Sequence, residues 1–292
     1  MLEVPALHYA AEELFNAHLY EWLSQRTKAT PLHTLLQLFA KQEQKHYEFW
    51  RQYLRREVSY PKWRLWWYQL LAILLGPTFV LRLLEEREHR TIEAYRRLAA
   101  TLAPEARQQI LTLIQEEESH EAEFLRTIQA EEPRLRYLGF IVLGLSDAII
   151  EVTGVHAGFL GVSHKPILAG IAGLIVGFSA SIAMASAAYL QAKQNPEVSP
   201  IRSAAYTGLS YLLAVLLLAL PYFLAAHMGV AFWSSVCLAT LLIGGFAYYS
   251  ATIFNRNFRG EFLESLGVLG ATSALSYGFG EALRYFFPMD RF

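Results

Sequence analysis

Between Arg134 and Glu151 the chain reads Arg134-Leu135-Arg136-Tyr137-Leu138-Gly139-Phe140-Ile141-Val142-Leu143-Gly144-Leu145-Ser146-Asp147-Ala148-Ile149-Ile150-Glu151, and its character changes there. Before Tyr137 the residues are those of charged helices. After it runs an apolar stretch of the length, roughly 20 residues, that a helix needs to cross hydrocarbon about 30 Å thick. Charge divides at the same point: residues 1–136 hold 18 of the 25 Lys and Arg and 19 of the 26 Asp and Glu. The whole chain is 54% hydrophobic and 17% charged, too apolar for a disordered protein. Neither part is appreciably basic, so no nucleic-acid partner is expected. The reading is all-α, with a water-soluble part, 1–132, followed by a part built for lipid, 133–292.

Working outward on the C-terminal side, five stretches are long enough to span: about 137–162, 166–192, 203–226, 230–254 and 262–287. The separators Ser163-His164-Lys165, Gln194-Asn195-Pro196 and Asn255-Arg256-Asn257 have loop composition. Five spans put the two ends of the chain on opposite sides. With the N-terminal part in the cytosol, the inner flanks carry Arg134, Arg136, Lys193, Arg202, Arg256 and Arg259, against Lys165, Arg284 and Arg291 outside. That bias predicts a cytosolic N-terminal part; the expected setting is an integral protein of a prokaryotic cytoplasmic membrane. The opening Met-Leu-Glu-Val-Pro-Ala-Leu-His lacks the basic and apolar regions of a signal peptide, so insertion is expected to rest on internal segments. The lone Cys237, set among apolar residues, is expected to be an inert thiol.

Asp147 is one of only two aspartates in the chain. An ionisable residue inside a span costs about 2.5–3.5 kcal/mol on insertion scales, so its presence asks for a function. Glu151 follows four residues later, which stacks both carboxylates on one helix face. Together they are expected to form a cation or proton site facing the bundle interior. Gly170, Gly173, Gly177, Ser179, Ala180 and Ser181 in the second stretch permit close packing there. Met184 offers a soft thioether that would favour transition metals over Mg²⁺ or Ca²⁺.

On the N-terminal side, periodicity predicts helices over about 6–26, 31–56, 79–101 and 104–131, and the chemistry lies in an internal repeat. Glu13 and Tyr20 recur 75 residues on as Glu88 and Tyr95, while Glu43 and His46 recur 74 residues on as Glu117 and His120. A Glu and a His at i, i+3 project from one helix face, so each pair can take one ion and leave a carboxylate to bridge. Glu13, Glu43, His46, Glu88, Glu117 and His120 thus make a four-carboxylate, two-imidazole set suited to two Fe or Mn ions. Glu86 and His89 make a further Glu-x-x-His that the repeat leaves out; His8, His18 and His33 are read as surface residues, and Tyr20 and Tyr95 as core. The uncharged run Leu65–Leu81, with Trp63, Trp66 and Trp67 at its start, forms a hydrophobic crossover over 63–81. A single crossing of the membrane there would separate the two helix pairs, so an interfacial or dimer-forming helix is expected.

These residues resemble known proteins. The two helix pairs resemble the rubrerythrin branch of the ferritin-like di-iron proteins. Leu143-Gly144-Leu145-Ser146-Asp147-Ala148 resembles the first-span signature of vacuolar iron transporters, and residues 181–190, Ser-Ile-Ala-Met-Ala-Ser-Ala-Ala-Tyr-Leu, look like their second-span signature. The fusion resembles the membrane-bound ferritin, or erythrin–vacuolar iron transporter, family over essentially the whole chain. That resemblance implies a ferritin-like four-helix bundle with a di-iron centre (Fe²⁺/Fe³⁺, or Mn²⁺), then a five-helix transmembrane domain. It also implies a homodimer that exports Fe²⁺, and often Mn²⁺, in exchange for protons, with Asp147 and Met184 in the pathway. The chain departs from plain vacuolar iron transporters in two places. Residues 191–202 are too few for their Glu-rich cytosolic insert, and Ala188 stands where a Glu usually precedes the Tyr. Capture by the N-terminal bundle would replace the first, and Glu151 would compensate for the second. A membrane-tethered di-iron oxidase that consumes dioxygen or peroxide is the alternative expectation.

Overall fold

The structure, a computed structural model, describes residues 3–27, 31–54, 56–102, 104–131, 133–163 and 165–287, with side chains left undescribed at 3–4 and 121–136. Arg134, Arg136, His164, Asp290 and Arg291, which the sequence reading used, therefore lie outside the described side chains. Among the described residues all regular structure is helical, in ten helices. They fall into two compact units, Met1–Glu132 and Pro133–Phe292.

The first unit contains α1 (Glu3–Arg26), α2 (Pro31–Arg51), α3 (Lys62–Leu75), α4 (Pro77–Ala99) and α5 (Pro104–Glu131). Proline opens α2, α4 and α5, where its fixed φ suits the first turn and its missing N–H is no loss. One core joins the four long helices: Ala6 and Ala10 of α1, Tyr47 and Trp50 of α2, Ile92 and Tyr95 of α4, and Ile110, Leu113 and Ile114 of α5. In α2 the buried stripe runs Leu32, Leu35, Leu36, Phe39, Glu43, His46, Tyr47 and Trp50, at helical spacing. The helix ends at Arg51, five residues before the expected end, and Tyr53 and Leu54 turn back on Trp50 and Arg51.

The hydrophobic crossover is not one helix. Gly76, at φ 95°, closes α3 and Pro77 opens α4. Only glycine adopts that left-handed backbone without strain. The run thus has two fates: Phe79, Val80, Leu81 and Leu84 enter the core, while Trp63, Trp66, Ile73 and Leu74 stay exposed.

The second unit contains α6 (Pro133–Val162), α7 (Pro166–Ala192), α8 (Pro200–Leu224), α9 (Met228–Phe254) and α10 (Phe258–Phe286). Four helical segments, Tyr137–Val162, Pro166–Ala192, Pro200–Leu224 and Met228–Phe254, are long and apolar enough to cross a membrane. Their outward residues are Ile171, Ile175, Phe178, Leu209, Leu213, Leu220, Trp233 and Leu241, the reverse of a water-soluble surface. Cys237 also faces outward. α10 is as long as the others, but glycine, serine and tyrosine dilute its apolar run, and it carries Glu264 and Glu281. It packs parallel to α6: Gly154 meets Thr272 and Ser276, Gly158 meets Gly280, and Gly161 meets Tyr277 and Glu281. A side chain at Gly280 would sit 2.1 Å from the Gly158 carbonyl oxygen, so only the bare backbone permits this approach. Asn255, in the left-handed region at φ 52°, ends α9, and Asn257 caps α10 by accepting from the Arg259 N–H.

Candidate metal centre

Four helices of the first unit deliver carboxylates and imidazoles to one buried place. Glu13, Glu43, His46 and Glu117 are all buried, and one ligand atom of each lies within 4.8 Å of the others. His120, equally buried, brings Nδ1 to 3.4 Å from Glu117 Oε2 and 3.9 Å from Glu43 Oε1. His46 Nδ1 lies 2.9 Å from Glu117 Oε1, and the two imidazole rings stack with centroids 6.1 Å apart. Glu88 is half-buried and shares a cavity of about 200 Å³ with Glu13 and Glu117, alongside Glu12, Asn16 and Thr91. Four of the six residues singled out by the repeat thus form one group, His120 joins it through Glu117 and Glu43, and Glu88 borders it beside Glu13 and Glu117.

Four acids against two imidazoles leave this place short of positive charge. Burial pushes the Glu43 carboxyl well above the carboxylate range, and Glu117 and Glu13 push it further. Glu88 is raised well above its ordinary value by burial and by Glu117, and Glu13 is raised by burial. For Glu117 burial acts upward too, but hydrogen bonding to His120 and His46 outweighs it and holds the group at about 2. Burial lowers His46, yet the hydrogen bond and charge of Glu117 prevail and raise it to about 9.

The donor set fits a metal ion. Both carboxylate oxygens of Glu43 and both ring nitrogens of His120 are buried without a hydrogen bond of ordinary geometry. Orphaned buried polar atoms are rare in native proteins, and each costs about 1–3 kcal/mol unless something satisfies it. Carboxylate oxygen and imidazole nitrogen together suit first-row divalent ions such as Fe²⁺ and Mn²⁺.

One group around the centre escaped the sequence reading, and two that it took as core have a further part. Glu116 accepts from His46 Nε2 at 2.8 Å, fixing the ring from its far side. Tyr20 and Tyr95 are more than core: Tyr20 donates to Glu88 at 2.9 Å, and Tyr95 donates to Glu13 while accepting from Trp50 Nε1 at 2.8 Å. Their matched positions in the repeat were the available signal. Glu86 and His89 are exposed and stand apart from the centre, Glu86 pairing with Arg90 at 2.9 Å. His8 and His18 are at the surface, and His33 is half-buried against the Ser24 carbonyl at 2.8 Å.

In the second unit Asp147 and Glu151 are half-buried on α6, and Glu151 accepts from the Tyr211 hydroxyl of α8. Met184 packs against the cluster of Ala148, Ile149 and Tyr211. Further along α6, His156 is fully buried with both ring nitrogens unpaired, its ring centroid 4.0 Å from that of Tyr222. It fits because residue 173 is glycine: a Cβ there would stand 2.3 Å from His156 Nε2. Nothing in the apolar pattern around His156 had marked it.

Fold and site together define an all-helical protein with four helices suited to a membrane and, in its other unit, a buried Glu/His group able to hold a metal ion. No protein-family model, curated protein or solved structure matches the chain.

Proposed function

We propose that the chain is a membrane transporter that exports Fe²⁺ or Mn²⁺ from the cytosol in exchange for protons, its N-terminal unit being a ferritin-like bundle that captures or senses the ion. One observation carries this reading. The same chain holds a buried group of Glu13, Glu43, His46 and Glu117, with His120 buried beside it and half-buried Glu88 adjoining, and, on a span-length helix, two half-buried carboxylates one turn apart. Groups of one chemical kind in both units point to one kind of ion. Glu13, Glu43, His46, Glu88, Glu117 and His120 would hold a di-metal centre, whose bound iron would supply one-electron chemistry. The cargo ion would meet Asp147 and Glu151, release the protons they carry, and find in Met184 a donor that favours transition metals. Tyr211 would hold Glu151 in place through its hydroxyl. The parallel run of α10 along α6 supports a fifth span. The bias of basic flanks supports a cytosolic N-terminal unit, and the family resemblance supports a homodimer.

The test is metal flux in proteoliposomes with Fe²⁺, Mn²⁺ and Zn²⁺. Transport of Fe²⁺ or Mn²⁺ that falls at least tenfold in Asp147→Ala, and that slows when the cytosolic face is acidified, is the expected result. Wild-type flux in Asp147→Ala would remove the pathway assignment.

The two tyrosines on centre carboxylates favour a second reading, a membrane-tethered oxidase of Fe²⁺ that consumes dioxygen or peroxide. Fe²⁺-dependent oxygen or peroxide consumption by the full chain, abolished in Glu43→Ala and unaccompanied by flux, would select it.

A further inference from the structure

Helix α3 turns its apolar side away from the protein. Trp63, Trp66, Trp67, Leu70, Ile73 and Leu74 recur at i, i+3, i+4, i+7, i+10 and i+11, one stripe of a helix. In a water-soluble bundle that stripe would face the core. Here Trp63 is 70% exposed, Trp66 62%, Ile73 57% and Leu74 68%.

The outward display is built into the packing. The opposite face of α3 carries Arg64, Tyr68 and Ala72. Glu12 of α1 takes both Arg64 nitrogens at 2.6 Å and Arg87 Nη2 of α4 at 2.5 Å. The Arg64 guanidinium lies 3.9 Å over the buried Phe15 ring, which Tyr68 meets edge-on at 5.2 Å. Arg87 also donates to the Tyr68 hydroxyl at 3.2 Å. A carboxylate shared by two guanidinia fixes the rotation of α3, so the tryptophans cannot swing inward without breaking it.

We propose that the exposed face of α3 seats in the interfacial layer of an anionic lipid bilayer. Its composition is graded along the axis. Indoles, which prefer the headgroup level, occupy the first turns, and the aliphatic Ile73, Leu74 and Leu75 occupy the last, so the C-terminal end enters deeper. Charge is complementary as well. No acidic residue occurs from Val58 to Leu84, while Arg56 and Lys62 are exposed in the segment leading into the tryptophans, with Glu57 the one acid between them. A bilayer is also always within reach, because the chain has four helices suited to one. None of this depends on which ion, if any, the chain moves.

Trp233 is the only tryptophan outside the first unit, so in Trp233→Phe every remaining indole lies in residues 1–132. The full chain carrying that substitution is reconstituted in vesicles of phosphatidylcholine and phosphatidylglycerol containing brominated lipid, and tryptophan fluorescence is read. A clear loss of emission is expected, and emission equal to that in unbrominated vesicles would overturn the proposal. Depth comes from spin labels on Trp66→Cys and Leu74→Cys in a Cys237→Ser background, with Gln108→Cys as a water-exposed reference. Labels at 66 and 74 should be several-fold less open to an aqueous nickel complex than the label at 108, and 74 more open to oxygen than 66. Equal access at all three sites, or dipolar broadening between labels on two copies, would overturn it, the latter by making a second copy the occupant.

Discussion

Both units bury carboxylates and histidine on the inward faces of their helices, but they arrange them in opposite ways. In the first unit Glu13, Glu43, His46 and Glu117 converge on one point, and acids outnumber imidazoles. In the second unit the polar groups follow one helix: Asp147 and Glu151 lie one turn apart on α6, Glu151 takes the Tyr211 hydroxyl, and His156 stands apart from them, without a hydrogen bond, further along the same helix. Convergence concentrates a charge that only a cation can balance. Separation along a helix leaves His156 to be accommodated by close helix packing, which Gly173 permits. The outer surfaces invert in step, charged in the first unit and apolar in the second.

The largest expected effect tests convergence directly. Fe²⁺ or Mn²⁺ at about one hundred times its dissociation constant should stabilise the first unit by roughly 2.7 kcal/mol, with little effect on the second. Hydrogen exchange of α2 and α5 amides, compared with α8 and α9, reads the two separately. Glu43→Ala should abolish the protection in α2 and α5. Equal protection of all four helices would mean that the units do not differ as described.

Next comes the pH dependence of the metal-free first unit. His46 is raised from 6.5 to about 9. A group raised on folding stabilises fully below its unfolded value and loses that contribution as pH climbs through its folded one. Glu13, Glu43 and Glu88, also raised, act with the same sign. Glu117, depressed to about 2, acts with the opposite sign, and its contribution is lost only as pH falls from 4.5 towards 2. The metal-free unit should therefore become less protected from pH 6.5 to about 9, and bound metal should flatten that slope by replacing the protons. A slope that metal leaves unchanged would separate these groups from the ion.

Much of the first unit was legible because its polar residues break a period. In α2 the spacing that gives Leu32, Leu35, Leu36 and Phe39 continues through Glu43 and His46, where apolar residues would be expected. In α5 Ile110, Leu113 and Ile114 are likewise followed by Glu117 and His120. A charge at a core position, doubled by a repeat, names its own site. Glu116 was not legible because it sits off the stripe and reaches His46 of another helix only in three dimensions. The split of the crossover at Gly76-Pro77 could be read as a break, but not the opposite fates of its halves, since both are equally apolar. In the second unit length and hydropathy marked four helices, whereas the Gly154, Gly158 and Gly161 seam against α10 passed unnoticed among other glycines.

A smaller effect is expected where the first unit holds α3. Glu12→Gln removes the charge shared by Arg64 and Arg87, and should cost about 1–3 kcal/mol, because both guanidinia are left without their charged acceptor. The same substitution should free the tryptophan face to turn, raising the mobility and narrowing the lines of the labels on α3 while the metal response of α2 and α5 persists. Loss of both together would tie the clamp to the centre.

The smallest effect belongs to the group that stands apart. His156→Leu replaces an unpaired buried imidazole by an apolar side chain of similar bulk, and no partner loses a hydrogen bond. A change within about 1 kcal/mol is expected, since removing an unsatisfied polar group can be neutral or stabilising. Gly173→Ala should be worse, at about 1–3 kcal/mol, because its Cβ would meet the imidazole. The double variant His156→Ala/Gly173→Ala should then cost less than the sum of its parts, the signature of two residues sharing one space. A large loss in His156→Leu, comparable with breaking the first-unit centre, would mean that His156 is held by more than packing and would erase the contrast between the units.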